Sequence, residues 1–283
     1  MKKFLAIFAA ALLAVCVLTG CSGNQKAEYV ILKDALADEE YAIGFRKADF
    51  ALRDAVQQAL VDLKKDGTVA EISQKWFNED LSDIPDSFTP SNSKDDSLQK
   101  VKESGKLRMG LDDSFPPMGY DDDGEIVGFD IDLAGEVCKK LGVELELVPI
   151  VWAQNVQELN DNNIDCIWNG MSVSDDREAA MNLSEPYMKN RQVIVTLKGS
   201  GIESLADLAD KSVILQRGST ASLALDDDPE LKASLRGGAA TEVENNVLAM
   251  YELQKGNGDA VLMDEVVAQY YVSHLTDLEE AAQ

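Results

Sequence analysis

The sequence predicts an α/β protein made of two lobes. From residue 106 onward, short strand-like runs alternate with segments of helical periodicity, which favours mostly parallel sheets covered by helices. The alternation breaks at residues 199–201 and then begins afresh, dividing the chain into two sets of elements. A chain of 283 residues is long enough for two lobes of ordinary domain size.

The elements before residue 106 are two strand-like runs and two helices. The runs cover residues 29–32 and 41–45. Apolar side chains spaced three and four apart predict a helix from about Phe50, and Gly67 suits its left-handed C-terminal cap. Thr68 and Glu71 have the spacing of a capping box, which predicts that the second helix begins at Thr68.

The two later sets follow as strand–helix units. The first set comprises strands at 107–111, 144–150, 164–168 and 192–197 and helices at 131–141, 153–160 and 175–181. The second set comprises strands at 212–215 and 260–263 and helices at 220–225, 243–255 and 264–271. Residues 83–96 contain Pro, Ser, Asn and Asp without periodicity, and this composition predicts a linker.

The N-terminal segment has the pattern of a secretory signal. Lys2 and Lys3 precede a short apolar core, and the segment ends in Leu-Thr-Gly-Cys at residues 18–21. This ending resembles a bacterial lipobox, in which Cys21 carries the lipid. The alternative is a transmembrane anchor, but the apolar run of 15 residues is short for a span of about 20. We therefore expect an extracytoplasmic protein held at the outer face of the cell membrane by lipid.

The net charge of the chain is -25, from 26 basic and 51 acidic residues. Removing the predicted signal leaves 24 basic residues against the same 51 acids. Phosphate groups are bound by clustered Lys and Arg, so this charge argues against nucleic acid or anionic lipid as a partner.

Neither the cysteines nor the histidine indicate a metal or cofactor site. Cys138 and Cys166 lie among apolar neighbours and are expected to be buried free thiols, a disulfide between them being the alternative. His274 is the only histidine and has no metal-ligand spacing near it. No cofactor is expected.

Two segments carry a family resemblance. Residues 41–82 resemble the closing segment of the polar amino-acid solute-binding proteins of ABC importers, and residues 98–133 resemble the opening segment of the same family. The order of the two is reversed, which resembles a circular permutation. The alternative is a fragment of a second binding protein fused ahead of a truncated one. The segments complement each other without duplication, which favours permutation.

The resemblance implies a type II periplasmic-binding-protein-like fold with the ligand cleft between the lobes. The expected divisions are a signal peptide 1–20, a lipidated tether 21–28, the final strand and crossover of lobe 2 at 29–42, C-terminal helices of lobe 1 at 43–82, a linker 83–97 that joins the former termini, the main part of lobe 1 at 98–197 and the main part of lobe 2 at 198–283.

Arg177 and Asp264 are the principal candidates for binding. Arg177 lies in the first turn of a predicted helix capped by Ser174, where a cation opposes the helix dipole but can hold a carboxylate through two hydrogen bonds. The alternative is a surface arginine paired with Asp175 or Glu178. Residues 168–177 resemble the family motif, which implies that Arg177 binds the ligand carboxylate. Asp264 would then meet the ligand ammonium, or alternatively cap a helix.

The resemblance also implies supporting residues. It places Gly218, Ser219 and Thr220 at the ligand carboxylate, and the Gly170 carbonyl and the Ser172 hydroxyl at the ammonium. Phe115 and Trp152 would form aromatic walls, with packing roles as their alternatives, and Met118, Asn169 and Met171 would line the cleft. Asp112 would face a polar or cationic side-chain end and disfavours acidic ligands. Phe115, in place of the common tyrosine, and the apolar Ala221 leave the exact ligand open.

The function that the resemblance implies is that of a monomeric substrate-binding protein. It would close on one free L-amino acid, polar or basic, and deliver it to an ABC permease and its ATPase subunits. One alternative is an amino-acid-sensing or docking module without transport. Another is a dehydratase-like enzyme on the same fold, but the predicted cleft contains no carboxylate pair or nucleophile–base set, so a non-enzyme is expected.

Overall fold

The structure of the chain, a computed structural model, describes residues 27–274. The predicted signal peptide, the lipidation site Cys21 and residues 275–283 lie outside the described part. Within the described part, no helix has both the length and the apolar character needed to span a bilayer.

Residues 27–274 form thirteen strands in three sheets. The strands are β1 Tyr29–Tyr41, β2 Gly44–Phe45, β3 Lys106–Leu111, β4 Ser114–Phe115, β5 Gly119–Asp122, β6 Glu125–Val127, β7 Glu144–Pro149, β8 Cys166–Ile167, β9 Asn182–Leu183, β10 Met188–Leu197, β11 Val213–Gln216, β12 Thr241–Val243 and β13 Ala260–Asp264.

Ten α-helices accompany these strands in the same described range. They are α1 Phe50–Lys65, α2 Thr68–Phe77, α3 Ser97–Ser104, α4 Phe129–Leu141, α5 Asn155–Asn160, α6 Asp175–Ala180, α7 Ala221–Asp226, α8 Pro229–Ser234, α9 Asn246–Lys255 and α10 Glu265–His274.

Lobe 1 is built on the sheet β7-β3-β8-β2-β9, with the small sheet β4-β5-β6 beside it. β3 pairs in parallel with β7 and β8, as the strand–helix alternation predicts, whereas β2 pairs antiparallel with β8 and β9. Helix α1 covers this lobe because Leu52, Val56, Leu60 and Leu63 recur at helical spacing and are all buried.

Lobe 2 is built on the sheet β1-β10-β13-β11-β12. β11 pairs in parallel with β12 and β13, while β1 and β10 run antiparallel over their length, from the pair Tyr29 and Leu197 to the pair Tyr41 and Met188. The two-lobed α/β fold is confirmed. Because β10 pairs in the lobe 2 sheet, the chain changes sheet before Met188, earlier than the expected boundary between residues 197 and 198.

Several element boundaries differ from the prediction for local reasons. Gly67, with φ of 90°, is the N-cap of α2, and the Thr68 hydroxyl donates to Asp66 Oδ1 at 2.6 Å, so the predicted capping box is wrong. The helix predicted from residue 243 begins at Asn246, because Val243 ends β12 and Asn245 caps the helix by accepting from the Leu248 amide at 2.8 Å.

The predicted linker is packed against lobe 1. Asp95 accepts a hydrogen bond from the Ala51 amide at 2.8 Å, and the Ser97 hydroxyl accepts one from the Leu52 amide at 3.0 Å. These bonds satisfy backbone donors in the first turn of α1, which have no partner inside the helix. The segment before α3 therefore caps the helix that precedes it in the chain.

The two cysteines of the described part are buried free thiols, as predicted. Burial raises the pKa of the Cys138 thiol to about 12 and the pKa of the Cys166 thiol well above its ordinary value. Both thiols are therefore protonated and weakly nucleophilic in the folded protein.

Candidate functional site

The lobes meet where strands of both sheets end. Asp112 follows β3, residues 168–174 follow β8, residues 217–220 follow β11, and Asp264 is the last residue of β13. In open α/β sheets, ligands bind in the crevice outside the carboxyl ends of the strands. The residues predicted from the sequence to bind a ligand lie at this crevice or directly behind it.

Arg177 reaches across the crevice. Its backbone amide donates to the Ser174 hydroxyl at 3.4 Å, so the predicted helix cap is confirmed. Nη1 donates to the Ser172 carbonyl at 2.7 Å and Nη2 donates to the Gly218 carbonyl of lobe 2 at 3.3 Å. Within residues 27–274, no carboxylate oxygen lies inside the 4.0 Å of an ion pair, so the predicted alternative of pairing with Asp175 or Glu178 is wrong.

The Arg177 guanidinium is also deeply buried. Its Cζ lies 5.7 Å from the centroid of the Trp152 ring, a cation–π distance. Burial lowers the pKa of Arg177 from its ordinary value. A buried guanidinium whose hydrogen-bond partners are neutral carbonyls is a site that an anion stabilises.

Asp264 accepts three hydrogen bonds from neutral side chains. Its Oδ1 accepts from Tyr41 Oη at 2.9 Å, from Asn190 Nδ2 at 2.6 Å and from Gln192 Nε2 at 3.1 Å. Burial, with the nearby charge of Glu39 as the second cause, raises the pKa of Asp264 to about 7. The carboxylate is thus held in place but not neutralised, and a cation stabilises its ionised form.

Glu39 is a second carboxylate beside Asp264, and the sequence analysis missed it. The end of the crevice formed by Asp264, Glu39 and Ser172 is called the amine pole below. Its Oε2 accepts from Ser172 Oγ at 2.7 Å, from Asn190 Nδ2 at 3.0 Å and from Gln192 Nε2 at 2.9 Å. The expectation that the cleft lacks a carboxylate pair is therefore wrong, because Glu39 and Asp264 share two amide donors.

The strand pairing explains how Glu39 reaches Asp264. Glu39 is the register partner of Asn190, and Gln192 is the register partner of Asp264, so β1, β10 and β13 carry these side chains side by side. Side chains two residues apart on a strand share a face, which adds Tyr41 to the same set. The only signal in the sequence is this two-residue spacing, which has meaning once the pairing of β1 with β10 is known.

The turn after β11, residues 217–220, contacts lobe 1 directly. Thr220 Oγ1 donates to Ser172 Oγ at 3.2 Å. Gly218 has φ of 78°, and a Cβ there would lie 2.9 Å from the Cα of Ala153 in lobe 1. Ser219 differs from expectation, because its hydroxyl donates to the Gln216 carbonyl at 2.8 Å within its own turn.

Asp112 joins the two lobes at the other end of the crevice. Its Oδ2 accepts from Gln216 Nε2 of lobe 2 at 2.6 Å, and its Oδ1 accepts from Ser114 Oγ at 2.6 Å. Asn246 Nδ2 donates to the Gln216 side chain at 3.1 Å and so orients it. Burial raises the pKa of Asp112. Gln216 is a further site residue that the sequence analysis missed.

A cavity of about 250 Å³ adjoins this bridge. Its lining residues are Asp112, Asp113, Ser114, Pro149, Ile150, Val151, Trp152, Glu244 and Asn245. Asp112 and Trp152, two of the residues that the sequence analysis expected around a ligand side chain, both line this cavity, and Trp152 also packs in a buried apolar cluster.

The remaining predicted residues divide into two groups. Gly170 has φ of 56°, and a Cβ there would lie 2.8 Å from Phe115 Cε1 and 3.3 Å from Met118 Cγ, so these three pack together, with Phe115 and Met118 in a buried apolar cluster. Asn169 Oδ1 accepts from the Asp112 amide at 3.0 Å and fixes the start of that loop. Met171 differs from expectation, because its side chain belongs to a buried apolar cluster of lobe 1.

The chain matches a known protein family. The model of the bacterial extracellular solute-binding proteins, family 3, matches residues 9–79 and 107–266. The arginine-binding extracellular protein ArtP of Bacillus subtilis (strain 168) is 31% identical over 180 residues, which cover 62% of this chain and 69% of ArtP.

Two further comparisons bear on the site. The structure of an ABC uptake transporter substrate-binding protein from Streptococcus pneumoniae with bound histidine is 36% identical, with a TM-score of 0.62, over 64% of this chain and 74% of that protein. The cyclohexadienyl dehydratase of Pseudomonas aeruginosa (strain PAO1) is 24% identical over 177 residues, which cover 61% of this chain and 64% of the dehydratase.

Proposed function

The chain belongs to the bacterial extracellular solute-binding proteins, family 3, and we propose that it is the extracytoplasmic substrate-binding protein of an ABC importer. The protein acts as a monomer. It binds a free L-amino acid between its two lobes and delivers it to the permease and its ATPase subunits. ArtP and the pneumococcal protein, named for arginine binding and bound to histidine respectively, support this class of ligand.

One observation carries the proposal. A buried guanidinium bound only to neutral carbonyls and two carboxylates bound only to neutral donors face the same crevice. Leaving buried charges without an opposite charge costs several kcal/mol, on the order of 3–5 kcal/mol for a pair that has lost one partner. A zwitterionic amino acid supplies both missing charges, with its carboxylate at Arg177 and its ammonium at Asp264.

The charge balance of the crevice favours a basic amino acid. Three acidic side chains, Asp112, Asp264 and Glu39, face one buried cation, Arg177. A zwitterion leaves two of the acidic charges unbalanced, whereas a ligand with a cationic side chain reaching Asp112 leaves one. The carboxylate of an acidic ligand would meet Asp112 and be repelled.

Binding by lobe closure is supported by the contacts across the crevice. Arg177 with Gly218, Thr220 with Ser172, and Asp112 with Gln216 each join the two lobes. A ligand held from both sides adds to these contacts and so favours the closed arrangement.

A calorimetric panel of the common L-amino acids tests the function. Arginine, lysine and histidine should bind, glutamate and aspartate should not, and Arg177→Ala should abolish binding. Arg217→Ala is the matched control, because that side chain lies in the same turn as Gly218 but is 60% exposed and pairs with Glu242. Absence of heat from every amino acid with the folded wild-type protein would refute the proposal.

A dehydratase-like activity is the second candidate, and the carboxylate pair favours it. Asp264 shares donors with Glu39, and its pKa of about 7 suits a general acid or base at neutral pH. Incubation with prephenate or an amino acid, followed by NMR, distinguishes the candidates. Turnover that is lost in Asp264→Asn would indicate an enzyme, and an unchanged ligand spectrum would indicate a binding protein.

We also propose that the chain is circularly permuted and anchored through lipid on Cys21. The pairing of β1 with β10 and the docking of residues 95–97 onto α1 support the permutation. A rearranged chain that starts at residue 98, continues through 283 and is joined to 29–97 should bind the same ligand with similar affinity. Loss of binding in a folded rearranged chain would favour the fusion alternative. Cys21→Ser should release the protein from membranes.

A further inference from the structure

The amine pole of the crevice contains two carboxylates, although one carboxylate is enough to pair with one ammonium group. Asn190 Nδ2 donates to both Glu39 and Asp264, at 3.0 and 2.6 Å, and Gln192 Nε2 does the same at 2.9 and 3.1 Å. The two carboxylates therefore face each other across shared amide nitrogens. Like charges at this separation repel unless a proton or a cation lies between them.

The same two amides carry oxygen atoms that lack donors. Asn190 is 4% exposed and Gln192 is 0% exposed, yet Asn190 Oδ1 and Gln192 Oε1 have no hydrogen-bond partner within the described part of the chain. Rotating either amide would turn its oxygen toward the carboxylates, so the observed orientation is imposed by the acids. A buried cluster rich in acceptors is one that a ligand with several N–H groups completes.

The protein places no cation in contact with this cluster in its described part. Lys189 and Arg191 flank Asn190 but lie on the opposite face of β10, where Lys189 pairs with Asp83 and Arg191 pairs with Glu265. Within residues 27–274, no lysine or arginine nitrogen forms an ion pair with Glu39 or Asp264. Arg177 acts on both carboxylates through its charge without forming an ion pair, so a cation in direct contact with the pair has to come from the ligand.

Glu39 also fixes the direction in which the Ser172 hydroxyl donates its proton. Ser172 Oγ donates to Glu39 at 2.7 Å and accepts from Thr220 Oγ1 at 3.2 Å. A hydroxyl has one proton and two lone pairs, so Ser172 has one lone pair left and can offer it only as an acceptor. An ammonium group is stabilised by such an acceptor, whereas a carboxylate is not.

We propose that Glu39 is a specificity-determining residue that makes the amine pole doubly negative and sets Ser172 as an acceptor for the ligand ammonium. This inference rests on the proposed function, because it assigns the ammonium of an amino acid to the pole formed by Asp264, Glu39 and Ser172. Glu39 acts as a positioning residue through Ser172 and as a charge through its own carboxylate.

Titratable and charged groups surround Glu39 on two sides. The inner side faces the crevice, and the outer side faces two cavities whose charged residues are mostly acidic. The inner groups are Tyr41 on β1, Asp264 on β13 and Arg177 on α6. On the outer side, Glu39 lines cavities whose other charged residues are Asp38, Glu40, Asp175, Asp176, Lys189, Arg191 and Asp227.

Binding of an ammonium should therefore displace a proton. Burial, with the charge of Glu39 as the second cause, raises the pKa of the Asp264 carboxyl to about 7, so this group is partly protonated near neutral pH. A cation placed between the carboxylates favours their ionised forms. We expect the wild-type protein to release a fraction of a proton per ligand near pH 7, and Glu39→Gln to release less.

The test compares Glu39→Gln with Glu40→Gln, an exposed neighbour on the other face of β1. Titration calorimetry in buffers of different ionisation enthalpy gives both affinity and proton release. For a basic amino acid, Glu39→Gln should weaken binding tenfold or more, reduce the proton release and raise the melting temperature of the ligand-free protein. Glu40→Gln should change none of the three.

Each outcome decides the inference. A purely structural Glu39 would lower the melting temperature when replaced and leave proton release unchanged, which would overturn the proposal. If Glu39→Gln does not fold, Glu39→Asp keeps the charge and should show intermediate affinity, and wild-type affinity in that variant would also count against the role of Ser172. If the wild-type protein binds no amino acid, the proposed function fails before this comparison is reached.

Discussion

Gly218→Ala offers a test of whether the contact between the lobes belongs to the bound state. Gly218 adopts φ of 78°, and a Cβ there would lie 2.9 Å from the Cα and 3.3 Å from the Cβ of Ala153. Both are fixed atoms of the opposite lobe, so the new methyl group can be accommodated only by separating the lobes. Overpacking of this kind costs about 1–3 kcal/mol, and it applies only when the lobes are closed.

The matched control is Gly256→Ala at the end of α9. Gly256 has nearly the same backbone conformation, φ of 77°, but nothing lies within 4 Å of its Cβ position. Both variants place alanine in the left-handed region, at a cost of about 1–2 kcal/mol. Only Gly218→Ala adds the clash between the lobes.

The expected result is a difference in affinity without a difference in stability. Chemical denaturation of the ligand-free proteins should show similar losses in both variants. Titration calorimetry should show that Gly218→Ala binds the amino acid about 5- to 150-fold more weakly than Gly256→Ala, the equivalent of 1–3 kcal/mol. Equal affinities of the two variants would refute the reasoning, because the approach of Gly218 to Ala153 would then not be part of the bound state.

Two further predictions follow from the buried titratable groups. The pKa of Asp264 is raised from 3.8 to about 7, so the folded protein holds this proton more tightly and loses stability as the pH rises through that window. Asp264→Asn should remove up to about 4 kcal/mol of this pH dependence, measured by denaturation at pH 4.5 and pH 7.5. A parallel pH dependence in both proteins would contradict it. Cys138 and Cys166 should react with a thiol reagent only on unfolding, and rapid reaction of the native protein would show that they are accessible.

The site residues that the sequence could predict are those fixed by local structure. Arg177 and its cap Ser174 lie within one turn of a helix, and Asp264 ends a strand, so their places in the fold follow from nearby residues, whereas their binding roles were inferred from the family resemblance. Strand–helix alternation likewise predicted the fold class and the two lobes. These features depend on short-range periodicity and capping, which a single sequence contains.

The residues that the sequence could not predict are those fixed by long-range pairing. Glu39 is 225 residues from Asp264 in the chain, and only the neighbouring positions of β1, β10 and β13 bring the two together. Gln216 is likewise placed beside Asp112 by the contact between the lobes, although the two are 104 positions apart in the chain. The predicted capping box at Thr68 failed because Gly67 is the N-cap and Thr68 is already the first residue of α2, so the Glu71 amide donates to the Gly67 carbonyl instead.

The strand β1 has two roles: it connects the two lobes, and it carries residues of the candidate site. It joins the second lobe to the first, since Val173 of lobe 1 donates its amide to Glu40 and Ala42 donates to Met171, and it also carries Glu39 and Tyr41 at the amine pole. Any swing of one lobe against the other must therefore disturb these amide bonds and the acids beside them together. Substitutions in β1 that change how the lobes move will therefore also change ligand affinity. Substitutions that change ligand selectivity will in turn change how the lobes move.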